Sequence, residues 1–164
     1  MFEQVRHRQA TALTRDRELV IACAPLRTRA NLSSIVRTAG CCGVQKVIAC
    51  GSGRIDSKIA RDGAESVKIE VRRTLASVLK QLRLDGFRVV GLEQTTNAHD
   101  LHSFAFPRKT ALVIGNERLG ISEEEMRHID DCVEIPVWGM PHSYNVATAT
   151  AMALYEYCKQ YPTG

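Results

Sequence analysis

The stretch Thr110-Ala-Leu-Val-Ile-Gly115-Asn-Glu-Arg-Leu-Gly120-Ile121 decides the fold. An apolar run stops at a glycine, an amide and a carboxylate follow in a turn, a second glycine closes it, and Ser122-Glu-Glu-Glu opens a helix. Strand, glycine turn and helix is the arrangement at which open α/β sheets bind ligands. Gly115 and Gly120 let a ligand approach the main chain, while Asn116 and Glu117 supply polar groups. Neither NAD nor ATP is indicated by the spacing. The middle glycine of the dinucleotide fingerprint is missing, and no Gly-Lys-Ser/Thr follows to cradle a triphosphate. On two glycines alone an ordinary strand-to-helix turn is the plainer reading, so the rest of the chain has to decide.

Outward from that stretch, Leu19 to Ala24 is an apolar run of strand length, suited to burial on both faces of a parallel sheet. Pro25 ends it. Asn31, a good N-cap, opens a helix with Leu32, Ile35, Val36 and Ala39 on one side and Arg37 among its polar residues. Lys46 to Cys50 is the next strand, and strand, helix and strand make a crossover unit, so the sheet is at least partly parallel. Val67 to Val71, Phe87 to Leu92 and Cys132 to Ile135 read as further strands. Thr74 and Ser122 read as caps, and Ser143 or Asn145 starts a last helix running to about Gln160. Residues 1–18, with Arg6, Arg8, Arg15 and Arg17 against Glu3, Asp16 and Glu18, read as a short solvated helical extension. The expected fold is α/β: one domain over residues 1–164, with a mostly parallel sheet flanked by helices.

With 164 residues, 45% of them hydrophobic, the chain is long enough for one sizeable core and too short for two ordinary domains. A net charge of +4 fits a partner carrying phosphates, but is less than binding nucleic acid by charge alone requires. Cys23, Cys41, Cys42, Cys50, Cys132 and Cys158 form no Cys-x-x-Cys pair and read as reduced thiols of a cytoplasmic protein. No leader opens the chain and no apolar run approaches the roughly 20 residues needed to span a bilayer, so no membrane is expected. The histidines match no ligand spacing, so no metal is expected. The last helix carries Ala147, Ala149, Ala151 and Ala153, small residues that suit a core contact or a two-fold helix pair equally.

Three separated segments each put polar groups at an element end: Asn31-x5-Arg37-Thr-Ala-x-x-x-Gly43, then Gly115-Asn116-Glu117-x-x-Gly120, then Ile135-Pro136-x-x-Gly139-x-x-x-Ser143-x-Asn145-Val146. In order and spacing they resemble the SPOUT superfamily, and within it the SpoU/TrmH branch of RNA ribose 2'-O-methyltransferases. The resemblance spans nearly the whole chain. It implies a C-terminal deep trefoil knot, S-adenosylmethionine (SAM) as cofactor and a homodimer whose site lies at the interface. It also implies a catalytic set of Asn31, Arg37, Glu117, Ser143 and Asn145. Leu92, Glu93, Ile114, Gly115, Asn116, Ile135, Tyr144 and Asn145 would bind the cofactor. Tyr144 departs from the leucine usual there, which puts the adenine wall in question.

Arg37 is the branch's candidate for activating the ribose hydroxyl. Arginine is an awkward base, because its guanidinium stays protonated in ordinary surroundings, so a phosphate clamp that polarises the hydroxyl is the open alternative. Gly91-Leu-Glu-Gln-Thr95, Phe106-Pro-Arg-Lys109 and Cys132-Val-Glu-Ile-Pro136 resemble the tRNA enzymes acting on the D-loop guanosine at position 18. Ribosomal RNA is the runner-up; many members acting on it carry an N-terminal RNA-binding domain that is not read here. DNA is not expected. A catalytically silent RNA-binding dimer is the alternative of another class. Arg27, Arg29, Arg54, Lys58 and Arg61 are the candidate contacts to the RNA backbone.

Overall fold

The computed structural model describes residues 1–164. The chain runs β1 (Leu19–Cys23), α1 (Arg29–Cys41), β2 (Lys46–Cys50), α2 (Ser57–Ala60), α3 (Gly63–Ser66), β3 (Lys68–Arg72) and α4 (Leu75–Leu84). It continues through β4 (Arg88–Leu92), β5 (His99–Asp100), β6 (Thr110–Ile114), α5 (Glu123–Met126), β7 (Asp131–Glu134) and α6 (Val146–Gln160). The strands form one sheet in the order β3-β2-β1-β6-β4-β7-β5, and every pairing is parallel.

The centre of the sheet explains its own sequence. β1 and β6 lie side by side, Leu19 opposite Thr110 and Cys23 opposite Ile114, and both are buried at every position. Their side chains alternate between two cores. Leu19, Ile21, Cys23, Leu112 and Ile114 face one; Val20, Ala22, Ala111 and Val113 face the other. A strand covered on both faces needs an apolar residue at each position, which is why these runs are continuous.

Each face is closed by helices at the period of 3.6. Leu32, Ile35, Val36 and Ala39 of α1 join Ala147, Ala153, Leu154 and Tyr157 of α6 over the first core. Leu75, Val78, Leu79 and Leu82 of α4 cover the second. Burying one such leucine is worth about 1.5–3 kcal/mol against leaving it in water. The buried Tyr157 hydroxyl donates to the Arg108 carbonyl at 2.6 Å, so its polar end has a partner. No helix is long and apolar enough to cross a membrane.

Two expectations are corrected. Residues 1–18 hold no helix. Residues 14–17 lie against the body instead, Thr14 N donating to Thr163 O, while the buried Arg17 donates to Cys42 O and Tyr161 O, both at 2.6 Å. Those carbonyls, at helix ends, fix the chain at Arg17, and a segment with few apolar residues has no helical face to bury. Thr28, not Asn31, caps α1, accepting from Asn31 N at 3.1 Å. Of the two residues read as starting the last helix, Asn145 is the one that caps α6, accepting from Ala147 N and Thr148 N. The two-residue β5 pairs with β7, although His99-Asp100 carries no apolar pattern.

Candidate functional site

Three strand ends and two helix starts converge on one cavity of about 750 Å3. Leu92 closes β4, Ile114 closes β6, and Glu134 and Ile135 follow β7, so the cavity opens at the carboxyl edge of the sheet. That is where open parallel sheets bind ligands, and the volume falls in the range of about 300–1,000 Å3 typical of small-molecule sites.

The Gly115 to Gly120 turn forms one wall. Asn116 N donates to Gly120 O at 3.1 Å and Gly120 N returns to Asn116 O at 2.9 Å, closing the turn on itself. Gly120 sits at φ +67, and a Cβ on Gly115 would stand 2.6 Å from the Gly120 carbonyl carbon. Both positions therefore require glycine. The Asn116 side chain is consumed in holding the turn: Nδ2 donates to Pro25 O, and Oδ1 accepts from Arg118 N and Leu119 N. Glu93, the residue after β4, plays the same part, its carboxylate accepting from Ile121 N at 3.1 Å and Gln94 N at 3.2 Å.

Across the cavity the three sequence motifs are joined by side chains. Asn145 Nδ2 donates to Asn31 Oδ1 at 3.1 Å, and Asn31 Nδ2 donates to Glu117 Oε1 at 2.9 Å. The Glu117 carboxylate also accepts from Arg27 N at 3.1 and 2.8 Å. Burial pushes the Glu117 carboxyl up, but the bonds from the Asn31 amide and the Arg27 and Thr28 backbone outweigh it and hold the group below its ordinary value. This chain exists because Thr28 takes the capping of α1 and frees the Asn31 amide.

Leu92, Glu93, Ile114, Gly115, Asn116, Ile135, Tyr144 and Asn145 all line the cavity, as do Asn31, Glu117 and Ser143. Ser143 makes no side-chain hydrogen bond there, and Tyr144 stands at the rim, 37% exposed. Arg37 is the exception. It is exposed on α1 and absent from the cavity wall. Six residues beyond Asn31 place it about 9 Å along the helix and about 120° round it. Gln94 also lines the cavity, and its Nε2 donates to His142 O at 3.2 Å, tying the loop after β4 to the loop before α6. A polar residue just past a strand end was its only signal. Thr28 could have been found as a cap three residues before Asn31.

A fully parallel sheet with a glycine turn and a cavity at its carboxyl edge defines an α/β protein with a small-molecule-sized cavity at the edge where such sheets bind ligands. Residues 18–155 match the SpoU rRNA Methylase family, and the chain belongs to that family. It is 30% identical over 149 residues to the tRNA (guanosine(18)-2'-O)-methyltransferase of Escherichia coli K12, covering 89% of this chain and 65% of that protein. The crystal structure of the A. aeolicus TrmH/SpoU tRNA modifying enzyme superposes with a TM-score of 0.85 at 27% identity, covering 92% of this chain and 78% of that one. The SpoU methyltransferase AviRb from Streptomyces viridochromogenes, in complex with the cofactor AdoMet, gives a TM-score of 0.76 at 28% identity over 91% of this chain and 62% of that one. The chain spans less than two thirds of the length of the first curated relatives it matches, from 9% to 65%.

Proposed function

We propose that the protein transfers a methyl group from SAM to a ribose 2'-hydroxyl of tRNA, at the D-loop guanosine. The observation that carries this reading is the hydrogen-bonded chain from Asn145 through Asn31 to Glu117, which ties all three motifs into the rim of one cofactor-sized cavity.

The cavity fits the cofactor by its chemistry. Leu92, Ile114 and Ile135 offer apolar surface to a flat adenine, and the strand ends and glycine turn offer backbone donors and acceptors to its edge. Bound there, SAM supplies an activated methyl group. Asn31 and Asn145 then fix the acceptor ribose by hydrogen bonds, Ser143 offers a free hydroxyl beside them, and Glu117 holds the Asn31 amide in one orientation. Tyr144 walls the rim in place of leucine.

Arg37 acts from outside the cavity of its own chain, on a ribose and phosphate held between the cavity and its guanidinium. That geometry favours a homodimer with RNA lying across the interface. Leu119, Trp138, Met140 and Tyr155, each more than 70% exposed, sit on the loops and helix that frame the cavity and support such an interface. The same reading places a trefoil knot in the C-terminal part, supported by β6 lying between β1 and β4 while β7 lies beyond β4. A cytoplasmic location belongs to it too, supported by six free thiols.

Calorimetry with SAM, followed by sedimentation, tests the reading. Binding at micromolar strength to a dimer is expected. A folded protein that binds no SAM would remove the methyltransferase and leave an RNA-binding module.

A further inference from the structure

On the other side of the Arg27–Thr28 segment a second cavity, of about 170 Å3, opens at the carboxyl ends of β1 and β2. Arg27, Arg29 and Arg54 line it together with Thr28 and Ser52, and no carboxylate does. Other arginines are engaged: Arg15, Arg72, Arg83 and Arg88 all form ion pairs. None of the three guanidiniums here has an ion-pair or hydrogen-bond partner; Arg27 and Arg54 use their backbone N–H groups, and Arg29 its carbonyl.

The floor is apolar, with Ala24 and Ala49 buried beside two thiols. Desolvation by burial pushes the Cys23 thiol up to about 12 and the Cys50 thiol up to about 11, so neither brings negative charge at neutral pH. Three guanidiniums against one neighbouring carboxylate, that of Glu117 behind the Arg27 backbone, leave the niche net positive, and positive charge over a low-dielectric floor attracts an anion. The size decides which. The niche is smaller than the roughly 300 Å3 at which small-molecule sites begin, which suits a single phosphate and not a nucleoside.

Its position decides the source. Arg27 and Thr28 line both cavities, so an anion in the niche lies one short segment from the large cavity. Resting on the methyltransferase reading above, we infer that the niche is a phosphodiester subsite, in which Arg29 and Arg54, with Arg27, clamp the RNA phosphate adjoining the ribose to be methylated. A guanidinium fork matches two phosphate oxygens at once, and three of them lining one niche fix the strand's register while reading no base.

The test is the double variant Arg29→Ala with Arg54→Ala, both exposed side chains without partners, with SAM calorimetry as the control for folding. RNA affinity should fall, and the slope of log K against log salt should shrink by about one, while SAM affinity stays at the wild-type value. An unchanged slope in a variant that still methylates RNA overturns the subsite alone. So does a fall in SAM affinity with RNA affinity retained, which would give the niche to the cofactor. Saturable binding of inorganic phosphate to the wild type, lost in the variant with the RNA slope unchanged, would make it a free-anion site and overturn the inference. Failure of the wild type to bind RNA would overturn the methyltransferase reading and the subsite together.

Discussion

Asn145 and Asn31, 114 positions apart, share a 3.1 Å hydrogen bond in which Asn145 Nδ2 donates and Asn31 Oδ1 accepts. The direction is fixed from the far side. Glu117 needs the Asn31 Nδ2 donor, so turning the Asn31 amide over would set its carbonyl against a carboxylate. Asn145 also caps α6 with Oδ1, so one side chain starts a helix and closes the site.

These two roles of Asn145 separate by substitution. Aspartate caps as well as asparagine, so Asn145→Asp should leave the denaturation midpoint nearly unchanged, while Asn145→Ala should cost about 1 kcal/mol. Both lose the donor to Asn31, and both should lower methyl transfer strongly. Denaturant melts beside single-turnover rates check this. An active Asn145→Asp variant would reduce the bond to a capping by-product.

Glu117 carries a pH dependence. Its carboxyl is held below its ordinary 4.5, so the stability it adds is fully present above pH 4.5 and is lost as pH falls through the lowered value. Wild type should therefore lose unfolding midpoint on acidification below about 4.5, and Glu117→Gln should lose less over the same window. Parallel acid curves for the two proteins would contradict the assignment.

Gly115→Ala probes the turn. The added Cβ meets the Gly120 carbonyl carbon at 2.6 Å and Ile121 N at 2.8 Å, both main-chain atoms that cannot swing aside. A cost of about 1–3 kcal/mol is expected, with SAM binding weakened about tenfold or more because the wall moves. Calorimetry and thermal melts read both effects.

Much of this was legible in the chain, for reasons that differ from element to element. The strands β1 and β6 were readable because burial on both faces leaves only apolar residues, and the cavity lining because each motif sits at an element end. Arg17 was not readable. A charged residue among other charges looks solvated, and only the fold brings Cys42 O and Tyr161 O to its guanidinium. Thr28 does not stand out in the sequence because Asn31 is as good a cap by type; the choice between them is made by Glu117 and Asn145, which lie far along the sequence.

Arg37 stands outside its own cavity, which sharpens what its removal should do. Arg37→Ala should lower the rate of methyl transfer by about 10²- to 10⁴-fold with SAM affinity nearly unchanged. Arg37→Lys should not rescue it, since a point charge lacks the bidentate fork. Weakened RNA binding with single-turnover chemistry intact at saturating RNA would make the residue a phosphate clamp.

The most direct measurement of the central claim is mass mapping of tRNA incubated with the purified protein and SAM. One added methyl on the ribose of a D-loop guanosine, resistant to alkaline cleavage at its 3' side, is the predicted result. Methylation of a base, or unmodified tRNA and ribosomal RNA in the presence of a SAM-bound protein, would contradict it.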